Sequence, residues 1–163
     1  MAMLNEQATA LLELCRRKQL HIATAESCTG GLIAAALTEI AGSSDVVERG
    51  FVTYSNEAKQ AMLGVPAATI EKYGAVSRET AGAMAQGALA HSPAELAVSV
   101  TGIAGPGGGS AAKPVGLVHF AAVSKGGRLI HREKRFGDIG RSQVRQASVV
   151  EALAMLRELA ETE

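Results

Sequence analysis

Aromatic residues are scarce in this sequence. They make up 3% of its 163 residues, and tryptophan is absent altogether. Proteins that bind single-stranded nucleic acid stack bases on aromatic side chains, so this composition argues against that class. The charge balance points the same way, because sixteen basic residues match sixteen acidic ones and leave no basic excess to bind DNA phosphates. We therefore expect no nucleic-acid partner.

Cysteines and long apolar runs are also few. The two cysteines, Cys15 and Cys28, cannot build a disulfide framework and are too few for a zinc site. No apolar run reaches the roughly 18 residues that span a membrane. Glu6 and Glu13 interrupt the apolar core that a secretory signal peptide would need near the start of the chain. We expect a cytoplasmic protein with no membrane partner and no bound metal.

Hydrophobic residues, by contrast, are abundant. They account for 47% of the chain and charged residues for 20%, a balance typical of folded globular proteins rather than disordered ones. The length is that of one domain, and no linker, repeat or low-complexity segment divides it. We predict a single domain over residues 1–163.

Hydrophobic periodicity divides the chain into helices and strands that alternate for most of its length. The predicted strands are 21–25, 50–54, 96–103, 117–124 and 129–136, and the predicted helices are 4–18, 32–41, 56–63, 78–91 and 141–160. The short link between the last two strands, Lys125–Arg128, can only join antiparallel neighbours. We therefore predict a three-layer α/β/α fold with a mixed, mostly parallel five-stranded sheet, one strand being antiparallel through a C-terminal hairpin.

Ligands of such sheets bind at the carboxyl ends of the strands, where three unusual segments are expected. The first, Glu26–Gly31, joins a strand to a helix through a serine and two glycines. Glycines let the backbone turn and expose its N–H groups, and the helix dipole adds positive charge, so Ser27 would lie beside an anion hole. Two alternatives are open: Ser27 or Thr29 merely caps the helix, or the thiol of Cys28 is the nucleophile.

The second segment follows the strand 50–54 and contains Tyr54 and Lys59. Lys59 lies in the first turn of the predicted helix, where the dipole disfavours an ammonium and favours the neutral amine. A neutral lysine is the general base that a serine nucleophile requires where no histidine is available. The alternative is a solvated surface lysine paired with Glu57 or Glu71.

The third segment, Gly102–Ser110, is the richest glycine tract of the chain. It is similar to a phosphate-binding loop, although it lacks the Gly-Lys-Ser/Thr ending of a Walker motif. Glycine-rich loops also serve as flexible connections. Arg141 and Arg145, one turn apart at the start of the last helix, can bind a phosphate together or form a solvated face.

Six motifs follow one another in a fixed order along most of the chain. They are Ala25–Gly31, Gly50–Tyr54 with Lys59, Gly74–Ser77, Thr101–Pro106, Lys113–Gly116, and Arg145 in the last helix. In this order they resemble the CinA C-terminal domain family. The resemblance implies a three-layer fold with a five-stranded mixed sheet, in agreement with the hairpin argument.

The resemblance also implies an activity. It is hydrolysis of the carboxamide of nicotinamide mononucleotide to nicotinic acid mononucleotide and ammonia, without metal or cofactor. Ser27 would be the nucleophile and Lys59 its base, and Tyr54 would orient the proton or relay it. The implied partners are a small-molecule nucleotide substrate and a second copy of the chain in a homodimer.

The same resemblance indicates which groups bind the reacting molecule. Backbone N–H groups around Thr29, Gly30 and Gly31 would hold the oxyanion. The residues expected to bind the rest of the substrate are Thr101, Gly102, Ile103, Ala104, Gly105 and Arg145.

A second hypothesis is a catalytically silent module of the same fold. Such a module would bind nucleotides or partner proteins and would be linked to competence or DNA damage, as the family name indicates. Mere binding does not require Ser27, Tyr54 and Lys59 together, so their joint presence favours the enzyme. Release of ammonia from nicotinamide mononucleotide distinguishes the two hypotheses.

Overall fold

A computed structural model describes residues 2–163 of the chain. Within that range the chain forms six α-helices and five β-strands. The helices are α1 (Ala2–Lys18), α2 (Leu32–Thr38), α3 (Asn56–Leu63), α4 (Ala67–Tyr73), α5 (Arg78–Ala90) and α6 (Arg141–Glu161). The strands are β1 (Ile22–Glu26), β2 (Val47–Val52), β3 (Leu96–Gly102), β4 (Leu117–Ser124) and β5 (Leu129–Arg135).

The strands form one mixed sheet in the order β2-β1-β3-β4-β5. Strand β1 pairs in parallel with β2 and β3, whereas β4 is antiparallel to both β3 and β5. One antiparallel strand in a mixed sheet is the predicted arrangement, and it is confirmed. In this register Glu26, the last residue of β1, lies between Val52 of β2 and Val100 of β3. The carboxyl ends of three strands therefore meet at one edge of the sheet.

Burial along each strand follows its position in the sheet. Every residue of β1 and β4 is buried, and so is β3 as far as Thr101, because these strands lie in the interior of the sheet with helices on both faces. Strands β2 and β5 are the edges and carry charged residues such as Glu48 and Arg132. Charges at an edge discourage pairing with another sheet.

Helices cover the sheet on both faces. Helices α1, α2 and α6 pack on one face around a core that includes Leu11, Ile33 and Phe120. Helix α5 covers the other face around Met84, and α3 and α4 pack against it. This is the predicted three-layer α/β/α fold. In the part of the chain that the structure describes, no helix combines the length and the apolar character needed to cross a membrane.

Three details differ from the prediction. Strand β2 covers Val47–Val52 rather than 50–54, because the charged residues of an edge strand give no hydrophobic signal. Helix α2 ends at Thr38 rather than near residue 41. Helix α4 is not among the predicted helices, because its one buried residue leaves no periodic stripe to detect.

Candidate active site

A pocket of about 270 Å³ opens at the carboxyl edge of the sheet. The three segments singled out in the sequence meet there, because β2, β1 and β3 are parallel neighbours whose ends lie side by side. The lining residues are Ser27, Cys28, Tyr54, Asn56, Lys59, Ala75, Val76, Thr101, Gly102, Ile103, Ala104, Gly105, Gly107, Gly108 and Arg141.

Ser27 and Lys59 are in direct contact in this pocket. The Nζ atom of Lys59 donates to Oγ of Ser27 at 2.9 Å and to the backbone oxygen of Thr53 at 2.8 Å. Lys59 is 1% exposed and Ser27 is 8% exposed. The hydroxyl of Ser55 caps α3 by accepting a hydrogen bond from the N–H of Ala58, which fixes the helix start one turn before Lys59.

Burial lowers the pKa of Lys59 below its ordinary value of 10.5. Its two hydrogen-bond partners are a hydroxyl and a carbonyl, and neither carries a compensating negative charge. The direction is the predicted one, but the cause differs: the sequence argument invoked the helix dipole, whereas removal of the ammonium from water dominates. The alternative of a solvated lysine paired with Glu57 or Glu71 is wrong, because Lys59 is buried.

Cys28 follows Ser27 in the chain and also lines the pocket, yet it is poorly suited to be a nucleophile. Burial of the thiol, together with the nearby charge of Glu26, raises its pKa to about 11. Such a thiol is almost wholly protonated near neutral pH, and the thiolate is the nucleophilic form. The environment of the two side chains therefore favours Ser27 over Cys28.

The carboxylate of Glu26 occupies the start of α2. Its Oε1 atom accepts hydrogen bonds from Thr29 Oγ1 at 2.6 Å, the N–H of Gly31 at 3.2 Å and the N–H of Ile33 at 2.9 Å. Its Oε2 atom accepts from the N–H of Ala34 at 3.0 Å. The donors that make a helix start attractive to an anion are therefore already bound to an anion of the protein itself. The hydroxyl of Thr29, expected near the oxyanion, also points to Glu26.

This arrangement bears on which N–H groups are available to hold an oxyanion. The N–H of Gly31 is engaged by Glu26, and the N–H of Gly30 donates to the carbonyl of Ser27 at 3.0 Å. Both donors already have acceptors inside the protein. The N–H of Cys28 lies beside the serine, and within the described range it donates to no other residue. The N–H of Thr29 likewise donates to no residue within that range, so the N–H groups of Cys28 and Thr29 are the candidates to supply an oxyanion donor.

Tyr54 and Arg141 form a pair at the pocket. The hydroxyl of Tyr54 accepts a hydrogen bond from Nη2 of Arg141 at 2.8 Å, and Nη1 of Arg141 donates to the carbonyl of Gly105 at 2.9 Å. Tyr54 is 60% exposed. Its hydroxyl is bonded to an arginine rather than to Ser27 or Lys59, so the structure shows no direct proton relay through it.

Arg145 lies next to the pocket but does not line it. Its Nε donates to the carbonyl of Cys28 at 3.1 Å, and its Nη2 donates to the carbonyl of Thr29 at 3.2 Å. Arg145 therefore contacts the loop that carries Ser27, and its contact with substrate stays a prediction. Of the two arginines at the start of α6, it is Arg141 that faces the pocket.

The glycine-rich loop lines the pocket with the five other residues expected to bind substrate, Thr101–Gly105. The hydroxyl of Thr101 donates to the carbonyl of Ala75 at 2.8 Å, and the N–H of Ile103 donates to a carbonyl of β4. Gly105 has a φ of +85°, in the left-handed region that favours glycine. The loop therefore offers the pocket mainly a backbone surface, with its polar side chain turned to the protein.

From the sequence, Glu26 has no assigned role, and both Arg141 and Arg145 are candidate phosphate ligands, of which Arg141 lines the pocket. A signal for Glu26 was present, because it is the only charged residue in the segment 22–33. A carboxylate in a buried run must find hydrogen-bond donors nearby, and a helix start supplies them. No comparable signal separates Arg141 from Arg145, since both are arginines one turn apart near the start of the same helix.

These features define a class of protein: a three-layer α/β/α domain with a serine in contact with a buried lysine at the edge of its sheet. The chain belongs to the CinA C-terminal domain family, whose model matches residues 4–160. The match covers the whole sheet and every residue that lines the pocket.

Relatives of the chain differ in length. A protein of Enterobacter agglomerans, 50% identical over 157 residues, is named nicotinamide-nucleotide amidohydrolase PncC, and the match covers 95% of this chain and 94% of that protein. A CinA-like protein of Synechococcus is 49% identical over 151 residues, which are 92% of this chain but 36% of the relative. The chain thus spans about a third of the length of the longer relatives that it matches.

Solved structures share the fold over almost the whole chain. The competence/damage inducible protein CihA of Agrobacterium tumefaciens is 59% identical, with a TM-score of 0.95 over 96% of this chain and 94% of that one. A CinA superfamily protein of Klebsiella pneumoniae is 34% identical, with a TM-score of 0.92 over 98% of this chain and 99% of that one. The sheet order and helix layers described above are therefore those of the family.

Proposed function

We propose that the chain is an amidohydrolase that converts nicotinamide mononucleotide to nicotinic acid mononucleotide and ammonia. The observation that carries the proposal is the 2.9 Å contact between Ser27 Oγ and the buried Nζ of Lys59 in a pocket. A serine beside a lysine of lowered pKa provides the nucleophile and the base that amide hydrolysis needs. The substrate is taken from the name of the Enterobacter agglomerans relative, which matches over nearly its full length.

The first half of the reaction forms an acyl-enzyme. The neutral amine of Lys59 accepts the hydroxyl proton of Ser27, and the serine oxygen attacks the carboxamide carbon to form a carbon–oxygen bond. The carbon–nitrogen bond then breaks while the lysine ammonium gives its extra proton to the leaving nitrogen, so ammonia departs. The carbonyl of Thr53 accepts a hydrogen bond from Nζ and keeps its lone pair directed at the serine.

The second half of the reaction releases the acid. Lys59 accepts a proton from water as the water oxygen attacks the acyl carbon. The bond to Ser27 then breaks, the lysine ammonium returns the proton to the serine oxygen, and nicotinic acid mononucleotide leaves. The N–H of Cys28 stabilises the oxyanion in both halves. The residue after the nucleophile supplies such a donor in other hydrolases whose serine lies at a strand-to-helix turn.

Arg141 binds the phosphate of the substrate in this proposal. Its guanidinium carries five donors, of which one bonds Gly105 and one bonds Tyr54, so others are left for phosphate oxygens. The side chain of Tyr54 orients Arg141 and borders the pocket, which gives it a role in binding rather than in proton transfer.

The proposed reaction lies in the pyridine nucleotide cycle and uses no metal or cofactor. Within the described residues, no group of three or more His, Cys, Asp or Glu side chains is arranged to hold a metal ion. The partner that the reaction requires is the nucleotide itself. A homodimer in the cytoplasm is a further proposal, based on the family resemblance alone.

The silent module is the weaker hypothesis because it does not explain why Lys59 is buried. Burying an ammonium with only a hydroxyl and a carbonyl as partners costs stability, and a binding module needs no such burial because an exposed lysine also attracts a phosphate. A base that works as the neutral amine does gain from that burial.

Ammonia release from nicotinamide mononucleotide by the purified protein tests the proposed function. The formation of nicotinic acid mononucleotide should match the ammonia released, mole for mole. Tight binding of the nucleotide with no release of ammonia would favour the silent module instead.

A further inference from the structure

Glu26 is a buried carboxylate directly before the proposed nucleophile. Its side chain is 1% exposed, and four donors converge on it at 2.6–3.2 Å. These donors are the hydroxyl of Thr29 and the N–H groups of Gly31, Ile33 and Ala34. In the absence of solvent, these bonds and the positive end of α2 are what stabilise the negative charge.

The carboxylate takes the place of an ordinary helix cap. Gly31 occupies the N-cap position of α2, and it has no side chain to accept a bond from the first turn. Glu26, which lies eight residues before Ala34 in the chain, accepts those bonds instead. Both carboxylate oxygens act only as acceptors, whereas a glutamine would direct an NH₂ group at one of the N–H donors.

The chain between Glu26 and α2 is the loop 27–31, which carries Ser27. The N–H of Ser27 donates to the carbonyl of Val100 at 3.0 Å, which ties the start of the loop to β3. Arg145 binds two carbonyls in the middle of the loop, and Glu26 binds its far end. The loop is therefore held at three places, and Glu26 supplies the one that joins it to α2.

We propose that Glu26 is a positioning residue, whose carboxylate fixes the loop 27–31 so that Ser27 Oγ meets Lys59 and the N–H of Cys28 faces the pocket. The consequence for catalysis depends on the proposed hydrolysis, but the fixing of the loop does not depend on any substrate. Because the phosphate is assigned to Arg141 on α6, loss of Glu26 should slow the reaction without weakening substrate binding to the same extent.

The primary test is Glu26→Gln, with Glu39→Gln as the matched control. Glu39 is an exposed carboxylate at the other end of α2, so its variant removes a charge from the same helix without touching the loop. We expect kcat of Glu26→Gln to fall roughly 10- to 100-fold while KM changes less than about 3-fold, because a displaced nucleophile misses a geometry that binding does not need. Glu39→Gln should match the wild type.

A second measurement needs no substrate. The rates at which a thiol-alkylating reagent modifies Cys28 and Cys15 are followed separately by peptide mass spectrometry. Cys15 is buried in α1, away from the loop, and reports opening of the whole fold. In Glu26→Gln we expect Cys28 to react about 10-fold faster or more while Cys15 stays protected, because a loosened loop exposes the thiol. Part of this gain comes directly from removal of the Glu26 charge, which raises the pKa of Cys28.

Thr29 offers a milder perturbation if Glu26→Gln is poorly folded. Thr29→Val removes one of the four donors at nearly constant shape, and Thr29→Ser keeps the hydroxyl. We expect Thr29→Val to raise the reactivity of Cys28 and to lower kcat by smaller factors than Glu26→Gln. Thr29→Ser should restore both quantities to nearly the wild-type values.

The outcomes separate the two proposals. If the wild type releases no ammonia, the proposed function fails, and the alkylation rates still decide the role of Glu26. Faster modification of Cys28 but not Cys15 in both Glu26→Gln and Thr29→Val, the second of which keeps the charge of Glu26, supports the positioning role. Unchanged reactivity of Cys28, or equal acceleration of Cys28 and Cys15, overturns it, because Glu26 would then be inert or merely part of global stability. A rise in KM with unchanged kcat would overturn it as well.

Discussion

Ser27 Oγ and Lys59 Nζ lie 2.9 Å apart although 32 residues separate them in the chain. The first follows β1 and the second belongs to the helix after β2, so the parallel pairing of these strands creates the contact. The same separation serves both protonation states: the ammonium donates to the hydroxyl, and the neutral amine accepts from it. Burial of Lys59 shifts the balance toward the neutral amine.

Replacement of the two adjacent nucleophile candidates gives opposite expectations. Ser27→Ala should lose nearly all turnover and remain folded, because binding and the oxyanion donor survive but no covalent intermediate forms. Cys28→Ser should keep substantial activity, since its thiol is protonated near neutral pH. Steady-state release of ammonia measures both. Inactivation by an alkylating reagent that substrate prevents, with Ser27→Ala still active, would transfer the role to Cys28.

The pH dependence of turnover reports on Lys59. Its pKa is lowered by burial, so the neutral fraction at a given pH is larger than for an ordinary lysine of pKa 10.5. Activity should therefore rise with pH along a single ionisation below 10.5 and level off above it. Lys59→Met should remove both the rise and most of the rate, as measured by kcat from pH 6 to about pH 10.

Arginine at the same position is the control for charge and length. Lys59→Arg should not restore activity, because the guanidinium remains protonated at every pH of the experiment. Near-normal turnover of Lys59→Met with an unchanged pH profile would show that Lys59 is not the base.

The sequence alone predicted the layers, the number of strands and the antiparallel hairpin. Those features follow from local patterns: continuous apolar runs for the interior strands β3 and β4, and a short glycine-bearing link before β5. Strand β2 was shifted by a few residues because an edge strand exposes Glu48 and Arg49, which carry no hydrophobic signal. Helix α4 was missed for a related reason, since it buries only Ile70.

The candidate site was predictable where a motif contained the functional side chain. The segment that holds Ser27 and the helix that holds Lys59 are both visible in the sequence. Their contact is not, because it depends on which strands pair. The use of the α2 N–H groups by Glu26, and the orientation of Arg145 toward the loop, likewise depend on packing across elements that are far apart in the chain.

Chelation should leave the reaction unaffected. The proposed mechanism needs only Ser27, Lys59 and a backbone donor, and no step requires a Lewis acid. Activity after exhaustive treatment with a strong chelator should equal that of the untreated enzyme, when ammonia release is compared at saturating substrate. Loss of activity that a divalent ion restores would rule out the serine–lysine mechanism in this form.

Replacing either of two glycines in α5 by alanine should change the stability of the protein, in opposite directions at the two positions. A Cβ at Gly87 would overlap the carbonyl of Leu63, the last residue of the helix that carries Lys59. A Cβ at Gly82 meets nothing within 4 Å. Gly87→Ala should therefore destabilise the protein by about 2 kcal/mol, and Gly82→Ala should stabilise it by up to about 1 kcal/mol through helix propensity. Urea denaturation measures both, and equal effects would contradict the close packing of α3 on α5.

Arg141 and Tyr54 provide the test of how the substrate is bound. Hydrogen bonds to charged groups are worth about 1.5–3 kcal/mol, so Arg141→Gln should raise KM for nicotinamide mononucleotide by about 10- to 100-fold. The corresponding nucleoside lacks the phosphate, so its kcat/KM should hardly change. Arg157→Gln is the control, because Arg157 is an exposed arginine farther along the same helix.

Tyr54→Phe removes a hydrogen-bond acceptor from Arg141 and should raise KM more modestly while the pH profile of kcat stays that of the wild type. Loss of the pH-dependent rise in Tyr54→Phe would instead make the tyrosine hydroxyl part of the proton path. An equal fall in kcat/KM for nucleotide and nucleoside in Arg141→Gln would show that Arg141 does not bind the phosphate.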